Sequence, residues 1–282
     1  MTKLLEGKQV TAVLNEKLRT EVERLKAENI TPKLAIIRLG ERPDDISYER
    51  GATKRCETIG VAVEGFNLAA DASQDELLAL IDKINKDDKI HAALLLRPLP
   101  KHIDDNLIRN SLNPKKDIDG ITDASLTGVF TDLAKGYPPC TAQACIEILD
   151  HFGIEISGKH AVVVGRSLVV GKPLAMMLMQ RNATVTICHS KTANMPEICR
   201  QADILIVAIG RAKFAGQEYL RDGQVVIDVG INVDEAGKLC GDVDFANAQN
   251  LELAITPVPG GVGTVTTSVL VKHVVEAAKN GV

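Results

Sequence analysis

The sequence has no tryptophan, and aromatic residues make up only 3% of its 282 positions. Proteins that bind single-stranded nucleic acid commonly stack bases on aromatic side chains, and nucleic-acid binders in general carry a basic face. The formal net charge here is −4, and basic runs such as Lys115-Lys116 are short, as on an ordinary solvated surface. We therefore expect no nucleic-acid partner.

Long apolar runs and paired cysteines are also missing. The start of the chain has no apolar core of the kind that a signal peptide needs, and no run approaches the length of a membrane span. Because no Cys-x-x-Cys pair occurs, we expect reduced thiols and no structural zinc site. This pattern predicts a cytoplasmic protein without a membrane span or a bound metal. The cysteines are Cys56, Cys140, Cys145, Cys188, Cys199 and Cys240.

What is present is the composition of a protein with a real core, with 45% hydrophobic and 25% charged residues. The length suits two medium domains or one large one. In the first half, strand patterns at 33–39, 61–66 and 90–96 alternate with a helix at 47–59, ended by Gly60, and a helix opened by the capping box Ser73-x-x-Glu76. This alternation predicts an α/β fold with a parallel sheet covered by helices.

Near the N-terminus, apolar residues recur at helical spacing and predict one buried stripe. They are Val10, Val13, Leu14, Leu18, Val22 and Leu25.

The second half begins a new series of strands after a proline-rich boundary. Pro138-Pro139-Cys140-Thr141 precedes a helix that ends near Phe152, and we place the domain boundary there. Strand patterns follow at 161–164, 183–188, 204–208, 225–229 and 253–256, with a last helix at 267–279. The predicted domains are therefore 1–140 and 141–266.

A glycine turn follows the first strand of the second half. Apolar residues 161–164 lead into Gly165-Arg166-Ser167, and Gly171-Lys172-Pro173 opens a helix. Glycine lets a phosphate approach the backbone, and N–H groups at a helix start can donate to it. The pattern therefore predicts a dinucleotide site, although the spacing is not Gly-x-Gly-x-x-Gly and a plain tight turn is the alternative interpretation.

The end of the next strand favours NADP over NAD. An NAD site usually has an acidic residue there to hold the ribose 2′-hydroxyl, but the chain reads Cys188-His189-Ser190-Lys191. A carboxylate would repel a 2′-phosphate, whereas Ser190, Lys191 and Arg166 could bind one. Taken singly, Lys191 is also compatible with an ordinary surface lysine.

Several blocks of the sequence resemble the methylenetetrahydrofolate dehydrogenase/cyclohydrolase (FolD) family, in family order over nearly the whole chain. Besides the glycine turn and the strand that ends at Ser190, the matching blocks are Lys116-Asp117-Ile118-Asp119-Gly120, Pro139-Cys140-Thr141, Asp228-Val229-Gly230-Ile231-Asn232, Gly241-Asp242-Val243-Asp244-Phe245 and Thr256-Pro257-Val258-Pro259-Gly260-Gly261-Val262-Gly263.

The resemblance implies two α/β domains with a cleft between them. These are an N-terminal folate-binding catalytic domain, 1–140, completed by the last helix, 267–282, and a Rossmann-like NADP-binding domain, 141–266. It further implies a homodimer that transfers hydride from 5,10-methylene-tetrahydrofolate to NADP in one-carbon metabolism. That chemistry depends on orientation more than on acids or bases.

The resemblance also assigns residues to roles. Tyr48 would lie against the folate rings, and Asp119 would accept hydrogen bonds from the pterin. The implied folate-binding loop consists of Pro259, Gly260, Gly261 and Val262. The implied cofactor-binding residues are Gly165, Arg166, Ser167, Gly171, Ser190, Lys191, Ile231 and Thr141.

Two positions depart from the family pattern together. The cyclohydrolase lysine of the family, four residues after the tyrosine, is Ala52 here, and the glutamine that partners it is Leu96. Because both members of a hydrogen-bonded pair are apolar, neither is left unpaired. Lys54 lies on another side of the helix, and Arg55 is a poor proton shuttle. We therefore expect cyclohydrolase activity to be lost or weak.

Smaller departures are Ala142 in place of proline and Thr264-Val265 after the glycine loop. Two alternatives to a monofunctional dehydrogenase stay open. One is a bifunctional enzyme in which Arg55, Arg97 or water replaces the lysine, and the other is a non-catalytic protein that binds folate or nucleotide.

Overall fold

The computed structural model describes residues 2–133 and 135–281. The chain divides into two compact units. The first unit comprises Met1–Ala12 and Thr141–Thr266, and the second unit comprises Val13–Cys140 and Thr267–Val282. Each unit has its own parallel β-sheet.

The helices and strands alternate along most of the chain, as βα units do. The helices are α1 (Gly7–Ala27), α2 (Pro43–Ile59), α3 (Gln74–Lys86), α4 (Asp105–Ser111), α5 (Asp123–Thr131), α6 (Cys140–His151), α7 (Gly171–Gln180), α8 (Met195–Arg200), α9 (Phe245–Ala248) and α10 (Val262–Asn280). The strands are β1 (Lys3–Leu4), β2 (Lys33–Leu39), β3 (Ala62–Leu68), β4 (Ala92–Leu95), β5 (His160–Val164), β6 (Thr184–Cys188), β7 (Ile204–Val207), β8 (Val225–Asp228), β9 (Asn232–Val233), β10 (Leu239–Cys240) and β11 (Ala254–Ile255).

The second unit contains a three-stranded sheet in the order β3-β2-β4, with both pairings parallel. The central strand β2 is buried over most of its length, as expected for a strand that is covered on both faces. Leu77, Ile81 and Ile84 of α3 pack against this sheet. The predicted capping box is present, because Ser73 Oγ accepts from the Glu76 N–H and the Glu76 side chain accepts from the Ser73 N–H.

The first unit contains a six-stranded sheet in the order β1-β11-β8-β7-β5-β6, and every pairing in it is parallel. β5 and β7 are buried almost throughout. The chain passes from β5 to β6 on one side and then returns to β7 on the other. The carboxyl end of β5 is therefore the point where the strand order reverses, which is where open parallel sheets bind ligands.

The structure assigns the N-terminal residues to a different unit from the one that the sequence predicted. Met1–Ala12 was expected in the N-terminal domain but lies in the first unit. β1 extends the large sheet by pairing with β11, and the Gly7 N–H donates to the Gly260 carbonyl at 2.8 Å. Such a pairing between distant segments has no local sequence signal.

Other elements depart from their predicted bounds by a few residues. α2 begins at Pro43 rather than 47, and α10 begins at Val262 rather than 267. Gly60 ends α2 as predicted, with φ 94° and its N–H on the Cys56 and Glu57 carbonyls. Val13 was wrongly placed in the buried stripe of α1, because it turns away from the other members and is 45% exposed. No helix within 2–133 and 135–281 is both long and apolar enough to cross a bilayer.

Candidate functional site

The glycine turn at the end of β5 is formed by two close backbone contacts. Gly165 has φ +132°, and a Cβ there would overlap the carbonyl oxygen of Ala208. A Cβ on Gly171 would overlap the carbonyl oxygen of Gly165. Side chains at either position would therefore push the turn away from β7 and from the start of α7, which explains the two glycines without a Gly-x-Gly-x-x-Gly spacing.

The donors at this turn are not those that the sequence predicted. The N–H groups of Val170 and Gly171 donate to Ser167 Oγ at 3.1 and 3.4 Å, and the Lys172 N–H donates to the Ser167 carbonyl. The helix-start N–H groups are therefore occupied rather than free. Within the described residues, the N–H groups of Arg166 and Ser167 have no hydrogen-bond partner, and they remain the turn's donors for an anion.

A cavity of about 330 Å³ opens beside this turn. Arg166 and Arg211 contribute the charged side chains, and neither has an ion-pair partner in the part of the chain that the structure describes. No aspartate or glutamate is among the described residues that line it. The lining residues are Val164, Gly165, Arg166, Ser167, His189, Ser190, Met195, Ala208, Ile209, Arg211 and Phe214. The cavity is therefore suited to an anionic ligand with an apolar part.

A hydrogen-bonded turn places Ser190 at the cavity. The His189 N–H lies 2.9 Å from Thr192 Oγ1, and the Thr192 N–H donates to the His189 carbonyl. His189 Nδ1 accepts from the Lys191 N–H at 3.1 Å, so that ring nitrogen carries no proton. The side chain of Lys191 is exposed and does not line the cavity.

Sequence reasoning gave no site role to five residues that line this cavity beyond Ser190, namely Met195, Ala208, Ile209, Arg211 and Phe214. The Arg211 guanidinium lies 5.1 Å from the centre of the Phe214 ring. Arg211 follows β7 closely, so the rule that ligands bind at the carboxyl ends of parallel strands could have identified it. No comparable local signal marks Met195 or Phe214.

Two buried carboxylates organise the loops beside the cavity. Asp242 is fully buried and accepts from the N–H groups of residues 209, 210 and 211 at 2.7–3.1 Å, and from Asn232 Nδ2. Asp228 accepts from the N–H groups of Asp242 and Val243 at 2.9 and 3.0 Å. The two acids therefore connect the ends of β7 and β8 through backbone donors.

The two carboxylates explain why glycine occurs in the blocks 228–232 and 241–245, which have no evident role from composition alone. A Cβ on Gly230 would overlap the Asp242 carboxylate, and a Cβ on Gly241 would overlap that of Asp228. Burial is the main cause that raises the pKa of Asp228 to about 7. The backbone N–H groups of Val243, Asp242 and Gly230 oppose the rise, and the nearby Asp242 charge adds to it.

A second cavity in the first unit, of about 180 Å³, is lined by the predicted folate-binding loop. Pro259, Gly260, Gly261 and Val262 all line it, together with Ile231. Ile231 is 62% exposed, and its Cδ1 packs closely over Gly263. The structure therefore brings Ile231 to this loop rather than to the cavity at the glycine turn.

In the second unit, Asp119 lies among Tyr48, Cys140 and Arg97. Burial, and after it the charge of Asp117, raises the pKa of Asp119 to about 6. Hydrogen bonds from the Cys140 thiol and backbone N–H, and the charge of Arg97, oppose that rise. The Tyr48 residue is 37% exposed, yet desolvation, followed by Asp119 and Cys140, raises the pKa of its hydroxyl. We interpret this as a ring open to solvent whose hydroxyl end is poorly hydrated.

The loop that carries Asp119 is held by a separate carboxylate. Asp117 is fully buried and accepts from the N–H groups of Ile121 and Thr122 at 3.0 and 2.8 Å, and from Ser125 Oγ at 2.6 Å. The preceding Lys116 is also buried, and its ammonium donates to the carbonyls of residues 84 and 87 at 2.8 Å each. Asp117 therefore fixes the backbone that follows Asp119, and Lys116 fixes the segment before it to the end of α3.

The two departures from the family pattern are both buried. Ala52 is 0% exposed and Leu96 is 7% exposed. Arg97 forms a two-pronged ion pair with Asp105, with Nε at 2.7 Å from Oδ1. Arg55 is half-buried and forms no ion pair with a described residue, and Lys54 is exposed.

The predicted site residues thus fall into three groups. Tyr48 and Asp119 are together in the second unit, and the four loop residues with Ile231 surround the smaller cavity. The residues at the larger cavity are Gly165, Arg166, Ser167 and Ser190, with Gly171 packed under the turn. Thr141, the second residue of α6, lines neither cavity.

Comparisons with known proteins agree with these features. Residues 5–119 match the model of the tetrahydrofolate dehydrogenase/cyclohydrolase catalytic domain, and residues 139–282 match that of the NAD(P)-binding domain of the same family. The bifunctional protein FolD of Carboxydothermus hydrogenoformans is 50% identical over 281 residues, which cover 99% of this chain and 98% of that protein.

Solved structures give the same result. The bifunctional FolD of Campylobacter jejuni is 39% identical, with a TM-score of 0.96 and 99% coverage of both chains. The FolD of Trypanosoma brucei, solved in complex with NADP and an inhibitor, is 33% identical, with a TM-score of 0.91 and coverage of 99% of this chain and 98% of that one. The chain therefore belongs to the tetrahydrofolate dehydrogenase/cyclohydrolase family.

Proposed function

We propose that the protein is a 5,10-methylene-tetrahydrofolate dehydrogenase that transfers hydride to NADP and releases 5,10-methenyl-tetrahydrofolate. The observation that carries this proposal is the basic, acid-free cavity at the carboxyl end of β5 in a chain of this family. Arg166 and Ser190 would bind the 2′-phosphate, and the N–H groups of the glycine turn would bind the pyrophosphate. The Trypanosoma brucei relative with bound NADP supports the choice of cofactor.

The folate-side roles rest on Tyr48 and Asp119. The carboxylate of Asp119 would accept hydrogen bonds from the amino and N–H groups of the pterin, and the exposed ring of Tyr48 would pack against the folate. Residues 259–262 would let folate approach backbone closely. Ile231 and Gly171 would support the cofactor, and Lys191 and Thr141 would contribute more weakly, because neither lines the two cavities described above.

We further propose that cyclohydrolase activity is lost or weak. Hydrolysis of the methenyl bridge needs a water molecule to lose a proton, and a positioned acid or base typically contributes 10²–10⁴-fold, in round terms about a thousandfold. Ala52 and Leu96 are buried and apolar, and Arg97 is held by Asp105. Arg55 carries a guanidinium group, which is a poor proton shuttle.

A fully bifunctional enzyme is the second candidate. The 50% identical relative is named bifunctional, and Asp119, whose pKa is about 6, could exchange a proton near neutral pH. A non-catalytic binding protein is a third possibility from another class, and any NADP reduction with the folate substrate would eliminate it.

The test follows NADPH, methenyl-tetrahydrofolate and 10-formyl-tetrahydrofolate over time with purified protein. We expect NADPH and methenyl product to accumulate together, with hydrolysis no faster than in buffer. The matched variant is Ala52→Lys with Leu96→Gln, which we expect to raise hydrolysis at least tenfold. Prompt formyl product from the unaltered protein would overturn the loss of cyclohydrolase, and no NADPH would overturn the dehydrogenase.

The predicted domains were 1–140 with 267–282, and 141–266. We propose that the unit of residues 13–140 and 267–282 is the folate-side domain and that the unit of 1–12 and 141–266 is the cofactor domain. We propose a cytoplasmic homodimer, the location being supported by six free cysteines. Sedimentation equilibrium tests the dimer, and a monomer at micromolar concentration would overturn it.

A further inference from the structure

A buried histidine lies close to Asp119 although the mechanism above does not use it. His273 of α10 is 2% exposed, and its Nδ1 lies 2.8 Å from the carbonyl oxygen of Ile118, the residue before Asp119. Cys140 Sγ lies 3.2 Å from the same oxygen and 3.7 Å from Nδ1. The Tyr137 ring packs against the imidazole with centres 5.0 Å apart.

The position of the carbonyl oxygen decides which groups carry protons. A carbonyl oxygen only accepts, so Nδ1 must be protonated to bond to it, whether the ring is neutral or charged. A protonated Nδ1 cannot accept the thiol proton. The single S–H of Cys140 is therefore left with two acceptors, the Ile118 carbonyl and the Asp119 carboxylate.

We propose that His273 and Cys140 are positioning residues for Asp119: the His273 N–H competes with the Cys140 thiol for the Ile118 carbonyl, and so leaves the thiol shared between that oxygen and the carboxylate that binds the pterin. The Cys140 backbone N–H, like its thiol, lowers the pKa of the same carboxylate, so both donors of Cys140 favour its charged form. This inference rests on the proposed function, because it assigns the arrangement to folate binding. It adds to the site a residue 155 positions away from Ile118 in the sequence.

The charged and polar groups around Asp119 set the pKa of its carboxyl group. Asp117 raises the pKa of Asp119, whereas Arg97 and the thiol lower it, and Tyr48 faces the same carboxylate. Without the thiol proton, the pKa of Asp119 would rise further above about 6. More of the site would then be protonated at neutral pH, and a protonated carboxyl group has fewer acceptor positions for the N–H groups of a pterin.

The key variants are His273→Leu, which removes the donor, and His273→Asn, whose amide nitrogen can occupy the position of Nδ1. Cys140→Ala and Cys140→Ser form a second pair. Alanine removes the side-chain donor at position 140, and serine keeps one. We measure KM and kcat for methylene-tetrahydrofolate from pH 5 to 9, tetrahydrofolate binding by calorimetry, and NADP binding as the control.

We expect His273→Leu and Cys140→Ala to raise the folate KM and the tetrahydrofolate Kd about tenfold, which is the loss of a hydrogen bond to a charged group. The acidic limb of kcat/KM should move to higher pH, kcat at saturation should change little, and NADP binding should be unchanged. His273→Asn and Cys140→Ser should retain most of the folate affinity.

Unchanged folate affinity and pH profile in Cys140→Ala would overturn the inference, as would an Asn variant as impaired as the Leu variant. If His273→Leu fails to fold, the cysteine pair still decides. A wild-type protein that binds tetrahydrofolate but does not reduce NADP would contradict the proposed function alone. A wild-type protein that binds no tetrahydrofolate would overturn both.

Discussion

The carboxylates of the two units are used in different ways. In the first unit, Asp228 and Asp242 are buried and accept mainly from backbone N–H groups, so they hold loops in place. In the second unit, Asp119 is half-buried and is surrounded by side chains, namely a thiol, a tyrosine and an arginine. One site is built mainly from backbone and glycine, and the other mainly from side chains.

The difference bears on how each site can change. Backbone N–H donors are present whatever side chains the residues carry. The close backbone contacts in the first unit leave no room for a Cβ, so its glycines cannot be replaced without displacing the loops. A site made of side chains can lose one reaction while the fold persists. The cyclohydrolase loss that we propose would be such a case, because Ala52 and Leu96 are buried and apolar, and replacing both members of a polar pair by packed apolar groups costs little stability.

Gly165→Ala should have the largest effect and tests the backbone side of the comparison. The new methyl group would overlap the Ala208 carbonyl at φ +132°, so we expect a loss of about 3 kcal/mol in unfolding free energy and no measurable NADP binding. Urea unfolding and cofactor titration measure these. Gly158→Ala is the matched control, since Gly158 has φ +74° but open space around it, and should cost only about 1 kcal/mol.

Asp119→Asn tests the side-chain site through pH. In the wild-type protein, kcat/KM should fall as pH drops through about 6, because the carboxylate becomes protonated. The free energy of unfolding should show the opposite dependence, decreasing as pH rises. The folded pKa is raised above the unfolded value of 3.8, so the contribution of Asp119 is fully present below that value and is lost as pH rises through about 6.

In Asp119→Asn, both the acidic limb and this part of the pH dependence of unfolding should disappear, with kcat/KM lowered about a hundredfold. Asp71→Asn, at an exposed position, is the control and should change neither. An acidic limb that persists in Asp119→Asn would assign it to another group.

Arg166→Ala should have a smaller effect that is confined to the cofactor. We expect the KM for NADP to rise about tenfold while the KM for NAD changes little, because only the 2′-phosphate loses a charged hydrogen bond. Arg181→Ala is the matched control, since Arg181 pairs with Asp150 and does not line the cavity. Equal losses for both cofactors would place Arg166 at the pyrophosphate instead.

Gly51→Ala should have the smallest effect, and it is stabilising. Gly51 lies in α2, and the position that a Cβ would take there has no neighbouring atom within 4 Å, so alanine should add about 0.5–1 kcal/mol through helix propensity. Thermal unfolding measures the gain, and dehydrogenase activity should be unchanged. Destabilisation would show that the glycine is needed for close approach, as in the first unit.

The sequence by itself determined the features that depend on neighbours along the chain. The β/α alternation, the capping box at Ser73 and the end of α2 at Gly60 follow from local hydrogen bonding and periodicity, and the structure has them. The glycine turn after 161–164 and the missing acid after β6 also have local signals. The folate-side roles came from resemblance to a family, because a lone Tyr48 or Asp119 has no distinctive pattern.

Only the tertiary structure decided which distant residues meet. It placed β1 beside β11, turned Val13 outward, occupied the helix-start N–H groups with Ser167, and brought Arg211 to the larger cavity. It also placed His273 at the carbonyl before Asp119. These contacts depend on strand order and on which faces pack together, and burial selects them through long-range contacts that no short window of sequence contains.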